Sequence, residues 1–421
     1  MKKILFAVIA LAVLTACNKD NDDDSQWDKS ERTVLIYISG ENSLWDYVDA
    51  DLSQMKQGSM DIGNNCLLVY VDHGNMMGDV PWLARIKKGQ IVDSVSITTI
   101  VKEMNLSPVE TAAEDDPYAS EAQVMEGVVR YAFKKYPSKN NDYAMGFWGH
   151  GSGWLMKDSL AYTAMARKKA YGVDNGRNTG IDIPGKWMNL PTMAKMLSKL
   201  PHLTFMFFDC CNMMCLENAY ELRNVTDYLI GSPAEIPGVG APYQTVVPAM
   251  FEKTTFWKSI VDRYYEQSAS GFDEPLSVVK TSEMGQLASA TRTVLKAIKP
   301  NLGEGYPDMS GVIHYYYDTI LGMHQEFYDA NDFVLKFADK ADYDAWKQAL
   351  DRAVIYKKMA TSWMIDAHYW NKYYGNYFEV TEEKFGGVSM FVPTYIQQYT
   401  DNNYIQQMGW YYAAGYNEIG W

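Results

Sequence analysis

The chain has 421 residues, with 52 acidic against 38 basic side chains and a formal net charge of −14. That balance argues against nucleic acid or an anionic membrane surface as partners and suits a cationic substrate, provided a local acidic site makes the attraction specific. Almost half of the residues are hydrophobic, so the chain can bury a large core and more than one packing unit.

In chain order, Lys2 and Lys3 precede an apolar stretch from Ile4 to Leu14. The stretch is too short to span a bilayer and begins as a secretory signal does. "LTAC" ends it at Cys17 and resembles a bacterial lipobox, in which the cysteine is lipidated and becomes the new N-terminus. Residues 1–17 therefore read as a lipoprotein signal and 18–31 as a disordered acidic tether. This predicts a cell-envelope lipoprotein held to the outer membrane by its N-terminal lipid. The acidic run also resembles a surface-export signal, with a plain solvated spacer as the alternative.

Beyond the tether, apolar runs rich in β-branched and aromatic residues predict buried strands at 33–39, 66–72, 143–149, 203–209 and 228–233. Helices are predicted between them at Trp45–Met55, Ser120–Lys135, Met193–Leu200 and Leu216–Leu222. "PWLARIKKGQIVDSVSI" reads as an edge hairpin around Lys88 and Gly89. Alternating strands and helices imply an α/β fold with a mainly parallel sheet covered on both faces. Residues 158–183 read as a long exposed loop. Farther on, Tyr343–Ala360 is amphipathic, and "GGVSMFVP" (386–393) reads as a strand ended by Pro393. The aromatic-rich remainder could bind glycans, although such spacing is more often core. The expected division is a core at 32–310 and an α-rich, aromatic region at 311–421 that returns a strand to it.

Chemistry gathers where strands end. "GFWGHGSGW" puts His150 between two glycines, which permit a sharp turn and close backbone approach. "FFDCCNMMC" holds three of the five cysteines. In an extended strand Asp209 and Cys211 share one face and Cys210 takes the other, so Cys210 reads as core and Cys211 as a reactive thiol near a helix N-terminus. Cys215 and Cys66 read as packing residues. A Cys–His pair for acyl transfer needs only Cys211 and His150 at neighbouring strand ends. The rival is zinc held by Cys211, Cys215, His150 and His202, for which Cys-x3-Cys is a weak signal. Asp209 could instead cap the following helix.

"TVLIYISGENSLW", "YAMGFWGHGSGW", "FFDCCNMMCLENAYEL", "YLIGSPAEIPGVGAPY" and "GGVSMFVP" succeed one another as in the clostripain family of cysteine peptidases, which the chain resembles well over residues 32–250. The family's thiol motif is matched by Asp209, Cys211, Met213 and Glu217. The resemblance implies a caspase-like three-layer sandwich and an endopeptidase that cuts protein or peptide substrates after Arg or Lys. It gives His150 and Cys211 the catalytic dyad, the Gly151 and Cys211 amides the oxyanion hole, and Asp209 the substrate pocket. Self-cleavage between histidine and cysteine is also implied, with Lys157, Arg167, Lys168, Lys169 and Arg177 as candidate sites in the 157–177 loop. That separation is long for the family and suggests an insertion. No cofactor is required by the sequence; the resemblance allows calcium, with "DANDF" (329–333) as a source of oxygens but no EF-hand spacing. The competing expectation is a catalytically inactive surface lipoprotein that binds peptide or glycan on the same fold.

Overall fold

The computed structural model describes residues 29–74, 79–108, 110–155, 171–176, 185–267, 274–303, 305–315, 327–365, 369–370, 378–393 and 402–421. Cys17, Lys157, Arg167, Lys168, Lys169 and Arg177 lie outside them.

Among the described residues, nine strands form one sheet: β1 (Thr33–Ser39), β2 (Cys66–Asp72), β3 (Trp82–Lys87), β4 (Gln90–Ser96), β5 (Tyr143–Trp148), β6 (Leu203–Asp209), β7 (Thr226–Gly231), β8 (Leu276–Lys280) and β9 (Val354–Lys358). Their spatial order is β9-β8-β7-β6-β5-β1-β2-β3-β4. The five central strands, β7, β6, β5, β1 and β2, are parallel. The hairpin β3–β4 extends one edge antiparallel, and β8 and β9 extend the other.

Every residue of β1, β2 and β5 is buried, which is why these segments read as unbroken apolar runs. Alternation divides them between two cores. Leu35, Tyr37, Leu68, Tyr70, Phe147 and Phe208 join one, with residues from helices Ala122–Lys135, Leu190–Leu197 and Met284–Ile298. Ile36, Val69, Phe205 and Phe207 join the other, with residues from helices Trp45–Gly58, Tyr243–Met250 and Phe256–Glu266. The result is a three-layer sandwich, and the parallel strands send their carboxyl ends to one side.

Four readings change. The stretch 343–360 is not all helix: the helix ends at Ala353 and Val354–Lys358 becomes β9, antiparallel to β8. Its β-branched and aromatic start favours extension, and its terminal lysines suit an exposed edge. The strand at Ser389–Phe391 does not enter the main sheet but pairs with Phe327–Asp329. Within the stretch read as loop, Tyr171–Asp174 is a buried strand paired with Lys186–Met188. Among the described C-terminal aromatics, Trp346, Trp363, Trp410 and Tyr416 are buried, which removes these four as a glycan-binding face.

Candidate active site

β5 and β6 are neighbours in parallel, with Phe147 opposite Phe208 and Trp148 opposite Asp209. His150 and Cys211 each lie two residues past this last pair. A Cβ added to Gly151 would stand 2.7 Å from the Cys211 carbonyl oxygen and 2.9 Å from the Cys210 Cβ. The backbone after His150 thus rests directly on the backbone that carries Cys211, and only glycine permits the approach. Both His150 and Cys211 are half-buried, open to a reacting molecule yet supported.

His150 is held from two directions. Its carbonyl accepts a hydrogen bond from the Gly172 N–H at 2.8 Å, and its Nε2 shares one with the Ser43 hydroxyl at 2.9 Å. Ser43 follows the end of β1, and Gly172 belongs to the short strand Tyr171–Asp174. Reading the sequence missed both, because a serine in "GENSLW" and a glycine in a polar stretch carry no signal of their own.

The cysteines behave as the two-residue period requires. Cys210 is fully buried on the opposite face and donates through Sγ to the Phe147 carbonyl. Burial pushes the Cys210 and Cys215 thiols up, and raises Cys66 to about 11. Cys211 is the one half-buried free cysteine among the described residues. The Ile236 N–H donates to its Sγ at 3.4 Å, while the thiol faces the Ile236 carbonyl at 3.7 Å. The next helix begins only at Leu216, so the Ile236 amide, and not a helix N-terminus, stands at the thiol.

Asp209 turns to the other face, as predicted. It is 4% exposed. The Ala241 N–H, the Tyr243 hydroxyl and the Tyr264 hydroxyl donate to it at 3.0, 2.9 and 3.1 Å. It caps no helix, since Cys215 occupies that position. Burial raises its pKa above the usual carboxylate range, and the three donors partly offset that. Asp51, another buried acid, accepts from the Trp148 indole at 2.7 Å and is pushed up to about 8 by burial and by Asp209. Asp51 carries no motif and went unnoticed in the sequence.

The zinc arrangement fails. His202 sits at the opposite end of β6, where it pairs with Asp227, and Cys215 is sealed in the core. The "DANDF" acids are also spent. Asp329 accepts from the amides of Asn331, Asp332 and Gly386 and from the Tyr315 hydroxyl, while Asp332 pairs with Lys384 and the Ile313 N–H. Glu217 is structural: it accepts from the Phe391 N–H and the Tyr416 hydroxyl, tying the helix after Cys211 to the C-terminal segments.

Comparison with known proteins fits this geometry. Residues 36–421 match the clostripain family, and residues 1–18 match a prokaryotic membrane lipoprotein lipid attachment site. No curated protein sequence matches significantly. A secreted C11 cysteine protease from Bacteroides thetaiotaomicron, solved with an irreversible peptide inhibitor, is 30% identical with a TM-score of 0.70, covering 92% of this chain and 100% of that one. An inactive zymogen C11 protease from Parabacteroides distasonis is 28% identical with a TM-score of 0.71, covering 92% and 98%. The sandwich is thus the caspase-like fold of these proteases, the N-terminus carries a lipoprotein attachment signal, and the chain belongs to the clostripain family as a cysteine-type peptidase.

Proposed function

We propose that the protein is a lipid-anchored endopeptidase that cleaves after Arg or Lys with Cys211 as nucleophile and His150 as its acid–base partner. The observation that carries this reading is the register of β5 and β6, which puts the two residues at matching positions past adjacent strand ends, with Gly151 against the Cys211 carbonyl. His150 takes the thiol proton and the Cys211 sulfur attacks the scissile carbonyl. The Gly151 and Cys211 amides receive the oxyanion, and His150 protonates the leaving amine. Water then hydrolyses the thioester by the reverse proton path. The Ser43 hydroxyl at Nε2 helps to orient the imidazole for this exchange.

Asp209 supplies the charge that selects a basic side chain, while Asp51 on the same face, pushed up to about 8, stays mainly protonated at neutral pH until a cation arrives. Cationic substrate would offset the cost of holding these acids in the interior. Self-processing at Lys157, Arg167, Lys168, Lys169 or Arg177 follows from the same specificity, and the zymogen form of the Parabacteroides relative supports it. The match at residues 1–18 supports anchoring through Cys17, and the acidic tether suits an outer-membrane address.

The test is a fluorogenic Arg or Lys substrate given to wild type and Cys211→Ala, with an alkylating probe as a second readout. Wild type should turn over and label at Cys211 well ahead of Cys66, Cys210 and Cys215. Activity persisting in Cys211→Ala would overturn the assignment.

A further inference from the structure

A two-stranded ribbon flanks His150. Its strands are Tyr171–Asp174 and Lys186–Met188, paired antiparallel. Tyr171 bridges to Gly151, and the Gly172 N–H donates to the His150 carbonyl at 2.8 Å. The Tyr171 side chain is fully buried, and its hydroxyl lies between the carbonyls of Tyr37 and Trp148 at 3.2 and 3.3 Å. The Asn42 side-chain amide holds the Val173 carbonyl at 2.8 Å. The ribbon is therefore pinned at several points to the ends of β1 and β5 where it passes the imidazole.

Trp187 is the middle residue of the second strand, and successive residues of a strand take opposite faces. Met188 turns inward and joins the core that holds Tyr171 and Phe147. Trp187 turns the other way, is half-buried and belongs to neither core. Its ring lies beside the His150 imidazole, with centroids 6.4 Å apart and planes tilted by 46°. Neighbouring Lys186 is ion-paired with Glu110 and reaches over the Tyr118 ring, so that cation is already neutralised and the wall next to it is aromatic. A tryptophan left half open beside a reacting group offers its face to a ligand.

We infer that Trp187 forms the subsite for the residue that follows the cut bond, and that the enzyme prefers an apolar or aromatic side chain there. The inference rests on the peptidase reading and extends it from the residue before the cut to the residue after it. The chemistry sets the side. His150 gives its proton to the leaving amine, so that nitrogen comes within hydrogen-bond reach of the imidazole. The side chain of the leaving residue begins at the carbon next but one to this nitrogen, within a few ångströms of the imidazole ring, where the indole stands. The Cys211 sulfur, which bonds to the acyl half of the substrate, has a different neighbour in the Ile236 amide. An indole fixed by two torsions gives a flat apolar surface at little loss of entropy. Glycine, aspartate or glutamate after the cut would gain little from it.

The test uses the purified enzyme and internally quenched peptides that differ only after the cut bond, with Arg followed by Leu, Phe, Gly or Glu. An acylated arginine methyl ester is the reference, because its leaving group, methanol, carries no side chain. Wild type should cut before Leu or Phe about tenfold better in kcat/KM than before Gly or Glu, the discrimination one apolar contact supplies. Trp187→Ala should bring the Leu-to-Gly ratio down to about twofold or less, chiefly through KM, and Trp187→Phe should restore most of it. Dividing each rate by the ester rate of the same preparation removes differences in folding or active fraction. An undiminished ratio in Trp187→Ala would overturn the subsite. So would an equal loss on every peptide and the ester with a shifted pH profile, since that marks an effect on His150 itself. Ester turnover by wild type with no preference among the peptides strikes the subsite alone. Turnover of neither ester nor peptide strikes the Arg or Lys reading and this inference with it.

Discussion

Asp209 holds a carboxylate in near-complete burial with three neutral donors and no basic ion-pair partner among the described residues. Each donor stabilises the charge, yet burial wins and the pKa is raised. A guanidinium or ammonium brought in by substrate would stabilise the ionised form. The same charge, near Cys211, disfavours a thiolate until that cation arrives, which couples recognition to activation. Asp209→Asn keeps the shape and loses the charge. Its kcat/KM on Arg and Lys substrates should fall by about 100-fold, the scale of one lost buried charge pair near 3 kcal/mol. Cleavage after neutral residues should fall far less. Full activity of this variant on arginyl substrates would remove Asp209 from the pocket.

Where two strand ends meet, Gly151 and the Cys211 carbonyl decide how close the elements come. Gly151→Ala would place a methyl group 2.7 Å from that oxygen, well inside contact distance, so one strand end must move. We expect a loss of at least about 100-fold in kcat with the fold retained, because a small displacement of reacting groups is enough; melting and turnover measured together would check this. One helix farther, Glu217 links the Cys211 turn to Phe391 and Tyr416. Burial raises its pKa from 4.5 to about 7. The folded state therefore keeps the proton longer than the unfolded chain. Its contribution is fully present below about pH 4.5 and is lost as pH rises through 7, by roughly 3 kcal/mol at ~1.4 per unit. Glu217→Gln should flatten that part of the stability curve and raise stability at pH 8, as denaturant melts at several pH values would reveal. Elements differed in how well the sequence disclosed them. The central strands were plain, since burial on both faces leaves only apolar residues. Val354–Lys358 was hidden because its helical neighbour continues the amphipathic pattern, and the helix Tyr243–Met250 was hidden because it carries Pro248 inside it. His150 and Cys211 stood out through their glycines and clustered thiols, whereas Ser43 and Asp51 became visible only when separate segments converged.

The whole molecule places the two groups proposed to react, His150 and Cys211, on either side of the segment proposed for self-cleavage. β1 to β5 and His150 precede it; β6 to β9 and Cys211 follow. A cut between residues 157 and 177 would therefore divide the central sheet covalently between two chains. It would not divide it physically. β5 and β6 remain joined by a parallel ladder from Tyr143–Leu203 to Trp148–Asp209, with nearly all of their residues buried. Helix Trp45–Gly58 on one fragment packs in the same core as Tyr243–Met250 on the other. Arg32 reaches across as well, donating to the Met250 and Glu252 carbonyls. Separating the pieces would expose both cores, a cost far above the few kcal/mol that one loop connection contributes. The processed protein should therefore run as two bands under denaturing conditions and as a single species of full mass under native ones. Cys211→Ala should remain one band until active enzyme is added in trans. Replacing Lys157, Arg167, Lys168, Lys169 and Arg177 together should keep the chain whole even with Cys211 intact; a wild-type preparation that stays one polypeptide at full activity would show that maturation by self-cleavage is not needed.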